Sequence, residues 1–398
     1  LIVMFNPRYF FPIYFSFVYL LAALRLSTQI SEFENITHFI VILSIISFIL
    51  GTLFIKSNNI VYNYNKIYSF TINKKLLHIS FIISFLSMSL LSMEYYMTNI
   101  PIFNDIEIDR LNVQTSGYVH LLAMSFKPIL SIYIAIYFIK KDLNLKKIDL
   151  YILFVLIITG TTLLIFSGSR GHIFLVVVVS FLFLILYKNI KIFYILIGSL
   201  LLLLLMGYAK YYRDFLFFGD TYVDSLASVW LFEYDYLYFY NTYMSLAMNF
   251  NIFDKLVATF YIEDFAYGYY LLLPIISLWP GSQPTLGDWQ NEVWSTGFHG
   301  ALTSTYLGIP YADFGVLGIF LIPFVFGLIS MYFYKNMVNR LTFSAIIQYS
   351  YWTVLLLFTI YTYPFAKLSS FIFIIIFILF SHIIKTKEKN ENIILRKT

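Results

Sequence analysis

Cysteine is absent from this chain of 398 residues, and charge is scarce, with Asp, Glu, Lys and Arg together making 12%. The missing cysteines exclude disulfides, thiolate nucleophiles and cysteine-ligated metals. Soluble domains carry about 25% charged residues; a chain with half that cannot coat its own surface in water. A water-soluble globular protein is therefore excluded. In place of charge the chain is 60% hydrophobic, with a mean hydropathy of +0.79. The missing polar surface must face lipid, and an all-α polytopic membrane protein is predicted.

A hydrocarbon core of about 30 Å takes about 20 apolar residues per helix. Ten segments meet that need, at 9–24, 36–55, 76–97, 118–139, 148–167, 172–187, 192–208, 315–334, 342–363 and 366–384. Ten crossings return both termini to one side. Arg8 precedes the first segment without a small-residue cleavage site after it, so that segment is expected to be a retained helix. Lys and Arg concentrate on the cytoplasmic side of membrane proteins. With both termini inside, 18 of the 26 fall there, among them Lys140, Lys141, Lys146, Lys147 and the tail residues Lys385, Lys387, Lys389, Arg396 and Lys397. The basic pI of about 8.9 follows from this topology, and no nucleic-acid partner is expected.

Short connections are broken once, by residues 209–314 on the outer side. A stretch of 106 residues is too long to be a connector, and 29 of them are Phe, Tyr or Trp, including Trp230, Trp279, Trp289 and Trp294. The expected organisation is a seven-helix bundle over 1–208, an extracytoplasmic loop over 209–314, and a three-helix segment with a basic cytoplasmic tail over 315–398. Leu271 to Trp279 is too short to span and reads as an interfacial or re-entrant piece. Aromatic residues at this level form either a headgroup girdle or planes for stacking on sugar rings, for which Trp289 and Trp294 are the candidates.

Ser167-Gly168-Ser169-Arg170-Gly171 lies at the outer turn between the fifth and sixth segments. Its glycines permit a tight turn, and the next helix turns its positive end outward beside the guanidinium. The motif reads either as an anion site or as a hairpin whose arginine reaches lipid phosphate. A serine-hydrolase elbow is excluded, because position 167 is Ser where that motif requires Gly. Arg110, Arg170, Lys210 and Arg213 are all expected near the outer surface, against a net acidic outer face. Together with Ser169 they suit a lipid diphosphate, whose oxygens accept forked guanidinium contacts. Asp105, Glu107 and Asp109 alternate, which on an extended segment directs three carboxylates one way. They are either solvated or ligands for a divalent metal. Lys127 falls inside a span, where a lone charge is costly, and Glu94 is its expected partner. His299, in Trp294-Ser295-Thr296-Gly297-Phe298-His299-Gly300, could deprotonate an acceptor hydroxyl.

These features resemble the Wzy-type oligosaccharide repeat-unit polymerases of O-antigen and exopolysaccharide assembly. The resemblance rests on Ser169-Arg170-Gly171 at an outer hairpin, on Arg110 after the Ile100-Pro101 loop, and on the single large outer loop. It rests also on that loop's exit, from Ser304 through Asp313-Phe314-Gly315 to Gly318. It implies a GT-C-like membrane glycosyltransferase in the cytoplasmic membrane, acting on its outer face without metal or cofactor. A polyprenyl-diphosphate-linked glycan is the implied donor and a lipid-linked repeat unit the acceptor, with a chain-length regulator and a flippase as implied partners. Arg110, Arg170 and Arg213 would steady the diphosphate, and His299 or Asp313 would take the acceptor proton. The alternatives are a metal-dependent polyprenyl-phosphate-sugar glycosyltransferase using Asp105, Glu107 and Asp109, or a glycolipid flippase or transporter.

Overall fold

The computed structural model describes the chain apart from residues 1, 56–67, 99, 101–116, 144, 168–169, 189–196, 199–200, 202–203, 205–206, 209–210, 213–214, 216–218, 233–236, 261–264, 280, 282, 295–301 and 389–398. It is an all-α polytopic membrane protein. Six described helices are long and apolar enough to cross a bilayer: Asn35–Phe54, Lys74–Thr98, Gly117–Phe138, Lys147–Phe166, Gly171–Lys188 and Gly308–Arg340. Phe343–Phe358 and Leu368–Ser381 are shorter apolar helices, and the first helix, Pro7–Ala23, has 17 residues. The apolar stretch 192–208 lies mostly outside the described residues.

The chain forms two compact units, each assembled from three separate stretches. The first takes Leu1–Lys56, Asn189–Tyr334 and Trp352–Phe371, so it draws on all three of the segments expected from sequence. It opens with α1 (Pro7–Ala23), where Asn6 caps the Arg8 amide and Pro7 supplies a preset first turn. α1 and α2 (Asn35–Phe54) form a hairpin. Arg8 Nη2 donates to the carbonyls of Thr52 at 3.2 Å and Ile55 at 3.5 Å, satisfying the orphan end of α2.

The second unit takes Ser57–Lys188, Lys335–Tyr351 and Ile372–Thr398. Its helices are α3 (Lys74–Thr98), α4 (Gly117–Ala123), α5 (Phe126–Phe138), α6 (Lys147–Phe166) and α7 (Arg170–Lys188). The fourth predicted span is thus one apolar stretch interrupted at Met124–Ser125, before Pro128. Small residues let the helices close up where no hydrophobic force joins them in lipid. Ser80 and Ser84 of α3 both meet the Tyr133 hydroxyl of α5, at 2.9 and 3.1 Å. Outside the helices, β1 (Tyr68–Ile72) pairs antiparallel with β2 (Ile384–Glu388), with Thr71 opposite Lys385. The ribbon joins the connection before α3 to the chain after the last helix, a pairing that hydropathy does not reveal.

The predicted outer loop is itself helical, with α8 (Asp220–Val229), α9 (Leu237–Thr259), α10 (Tyr269–Ile276) and α11 (Leu286–Trp294). α9 packs on the turn end of the α1–α2 hairpin: Phe250 meets Phe15 and Tyr19, each with centroids 5.3 Å apart. The Tyr243 hydroxyl accepts from the Leu26 amide at 3.0 Å, and Asp254 accepts from the Glu34 amide at 2.9 Å. The chain continues into α12 (Gly308–Arg340), α13 (Phe343–Phe358) and α14 (Leu368–Ser381), each divided between the two units, after Tyr334, Tyr351 and Phe371 respectively. α12 begins seven residues before the predicted span and kinks at Gly315, whose φ of +56° and ψ of −139° only glycine adopts readily.

Candidate functional site

The described part of the site lies in the first unit, where the aromatic segment returns to α12. A turn at Ala266–Gly268 carries two consecutive left-handed residues, Tyr267 at φ +48° and Gly268 at φ +96°. Such a conformation costs a non-glycine residue about 1–2 kcal/mol, so it needs support from its neighbours. The Ala266 amide donates to the Ala312 carbonyl at 3.0 Å and the Tyr267 amide to that of Asp313 at 3.1 Å. Asp313 itself is fully buried. Its Oδ1 accepts from the Tyr270 amide at 3.1 Å and its Oδ2 from the Leu271 amide at 2.7 Å. The carboxylate thereby satisfies the first free amides of α10 and meets the positive end of its peptide dipoles.

This is a different position from that of a solvent-facing base. Both oxygens of Asp313 are spoken for by backbone, and its geometry is that of an anchor for the re-entrant piece. The predicted short segment 271–279 exists as α10, starting two residues earlier because Asp313 caps it. Burial, with the Asp313 charge next in importance, pushes the Tyr270 phenol up to about 12. Phe265 closes the arrangement: a Cβ on Gly315 would stand 2.7 Å from the Phe265 ring. The aromatic rings then run on from Phe265 to Phe260, with centroids at 5.9 Å, and from Phe260 to Trp289 at 4.9 Å.

Trp289 and Trp294, the two sugar-stacking candidates, are both half-buried on α11. Each docks on the end of α9. Trp289 stands edge-on to Phe260, whereas Trp294 Nε1 donates to Thr259 Oγ1 at 3.3 Å and Lys255 Nζ lies 4.8 Å from its ring centroid. Between them Gln290 is fully buried, and among the described residues neither its Oε1 nor its Nε2 has a hydrogen-bond partner. A buried amide without partners loses its hydration for nothing in the resting protein. Sequence reading passed it over, because one Gln in an aromatic loop carries no signal until its burial is known.

His299, Arg110, Ser169, Lys210 and Arg213 lie outside the described residues, as do Asp105, Glu107 and Asp109. Arg170 is the first residue of α7 in the second unit. Glu94 departs from its expected pairing. Its Oε2 is 3.0 Å from His120 Nδ1, while buried Lys127 lies over the Phe373 ring at 5.0 Å. Among the described residues no group of three or more His, Asp or Glu side chains is arranged to hold a metal ion. No family model, curated protein or solved structure matches this chain. The likeness to the repeat-unit polymerases therefore rests on this chain's own motifs.

Proposed function

We propose that this protein is a glycosyltransferase that polymerises polyprenyl-diphosphate-linked oligosaccharide units on the outer face of the cytoplasmic membrane. The observation that carries the proposal is the Asp313 anchor. It holds an aromatic segment in a defined, strained conformation at the point of return to the membrane, with Trp289 and Trp294 half-exposed beyond it. A surface of that kind suits pyranose rings, which offer C–H faces to aromatic planes and hydroxyls to polar groups.

The topology in this reading has ten crossings with both termini inside and a GT-C-like arrangement. Support for an even number comes from the β1–β2 ribbon, since paired strands must share one side of the membrane. From α3 to α14 the apolar helices make seven crossings, and the stretch 192–208 would supply the eighth. The α1–α2 hairpin adds two, with Arg8 joining their inner ends.

In the reaction the acceptor hydroxyl of a lipid-linked unit attacks the anomeric carbon of the donor glycan. The bond from that carbon to the lipid diphosphate breaks, and charge develops on the leaving oxygens. Arg110, Arg170, Arg213 and Lys210, with the Ser169 hydroxyl, are the groups to steady it, since fixed cations favour the charge that develops in the transition state. His299 is the sequence candidate for the acceptor proton, and Asp313 contributes by positioning. A chain-length regulator and a flippase would be natural partners.

The test is glycan length on a gel in a host supplied with matching lipid-linked units, comparing wild type with Arg170→Ala and Arg170→Lys at equal membrane abundance. A ladder from wild type that stops at one repeat in both variants supports the diphosphate role and the need for a guanidinium fork. A wild type that makes no ladder although units are present sinks the polymerase reading. A transporter is the second reading, favoured by the buried Glu94, Lys127 and Asp149 in three different spans. Export lost with polymer length intact would favour it.

A further inference from the structure

From the geometry of α3 and α4 we infer that Glu94 and His120 form an acid–base dyad in which His120 Nε2 takes the proton of the acceptor hydroxyl. The inference rests on the polymerase reading and replaces His299 as the base. Glu94 is the positioning residue. Its side chain is 1% exposed, against 23% for His120, so solvent or substrate meets the pair through the imidazole. An ionised carboxylate only accepts hydrogen bonds. The proton of neutral His120 is therefore on Nδ1, which donates to Glu94 Oε2 at 3.0 Å. That tautomer leaves the lone pair on Nε2, where a base needs it. A buried carboxylate that orients an imidazole and balances the imidazolium formed in the reaction is the arrangement that makes histidine an effective general base.

Packing glue alone does not account for the pair. Glu94 Oε1 is buried without a hydrogen-bond partner among the described residues, so that half of the carboxylate stands uncompensated by them. A purely structural carboxylate at this depth would be costly for what it joins. The pair also lies at the end of the second unit that the reaction requires. Tyr95, next to Glu94, donates its hydroxyl to the Leu163 carbonyl at 3.1 Å, which fixes the level of Glu94 at the last turn of α6. Arg170 starts α7 three residues beyond Ser167, the C-cap of α6.

The acceptor O–H proton passes to Nε2 while the acceptor oxygen bonds to the anomeric carbon. The bond from that carbon to the diphosphate oxygen breaks, its electron pair leaves on the lipid diphosphate, and the imidazolium returns its proton to water.

The experiment measures polymerisation rate against the concentration of lipid-linked units in membranes holding the full chain, at equal abundance of each variant. His120→Asn keeps an amide donor for Glu94 but has no base at the Nε2 position, and general-base loss lowers rates about 100-fold or more. Glu94→Gln should lower the rate less, through kcat rather than KM, because the ring keeps its place but loses the carboxylate that balances the imidazolium formed in the reaction. In unmodified wild type, His120 should react with diethyl pyrocarbonate, and reaction should be blocked by lipid-linked unit. A normal ladder from His120→Asn, an unchanged kcat in Glu94→Gln, or an unreactive His120 in wild type would each overturn the dyad. Absence of any ladder in wild type overturns the polymerase reading itself, which keeps the two failures apart.

Discussion

Gly51 of α2 and Gly327 of α12 face each other at backbone contact: a Cβ on Gly51 would stand 2.0 Å from the Phe324 carbonyl oxygen, and one on Gly327 2.1 Å from that of Phe48. Both would strike backbone, which cannot swing aside. Ser47 adds to the same seam by donating to the Phe320 carbonyl. Here small residues on one helix permit the approach of another, the arrangement that dispersion alone can stabilise in lipid.

Gly51→Val and Gly327→Val should therefore destabilise the first unit by at least about 1–3 kcal/mol, the range for overpacking. Thermal unfolding of the detergent-solubilised protein measures this. A Tm within a degree of wild type for both variants would contradict the close seam.

Asp313→Ala should leave the Tyr270 and Leu271 amides without their acceptor and release the strained turn before α10. The loss expected for a hydrogen-bonded charge is about 1.5–3 kcal/mol. Limited proteolysis should show faster cutting around residues 266–271 than in wild type, and unchanged cutting there would refute the anchor.

Alkaline stability carries the mark of Tyr270. Its phenol has a folded-state pKa raised from 10.0 to about 12, so its contribution is fully present below pH about 10 and is lost as pH rises through about 12. The Tyr270→Phe variant has no phenol to ionise and should lose less stability over that window. The comparison is denaturation followed at fixed temperature from pH about 9 upward, and parallel curves for the two proteins would dismiss the effect.

Gln290→Met should hold or raise stability, because an apolar side chain of similar size replaces an amide with neither atom paired. If the amide is kept for a glycan hydroxyl, the same variant should polymerise more slowly. A fall in Tm of several degrees would show that the amide has a structural partner.

The ribbon can be tested without background, since the chain has no cysteine. Thr71 and Lys385 are cross-strand partners, and antiparallel partners lie about 4.5–5.5 Å apart between Cα atoms, within disulfide reach. Thr71→Cys with Lys385→Cys should crosslink under mild oxidation. Failure, with each thiol separately reactive, would deny the pairing.

Much of the membrane architecture was legible in the residues themselves. Charge depletion and apolar runs depend on local composition, and nearly every described apolar helix begins and ends within a few residues of its predicted segment. The partner choices were not legible in that way. Position along the chain pairs Glu94 with Lys127, both charges within or near a span, but helix packing sets His120 beside Glu94 instead. The resemblance offers Asp313 as a proton acceptor, whereas the fold buries it against the amides of a helix 42 residues earlier. The kink at Gly315, the α9 contact with the α1–α2 hairpin, the unpaired Gln290 amide and the β1–β2 ribbon belong to the same class. Hydropathy is a property of each stretch by itself and so sets which stretches enter the membrane. Hydrogen bonds and ion pairs depend on which distant residues meet, and only the tertiary structure decides that.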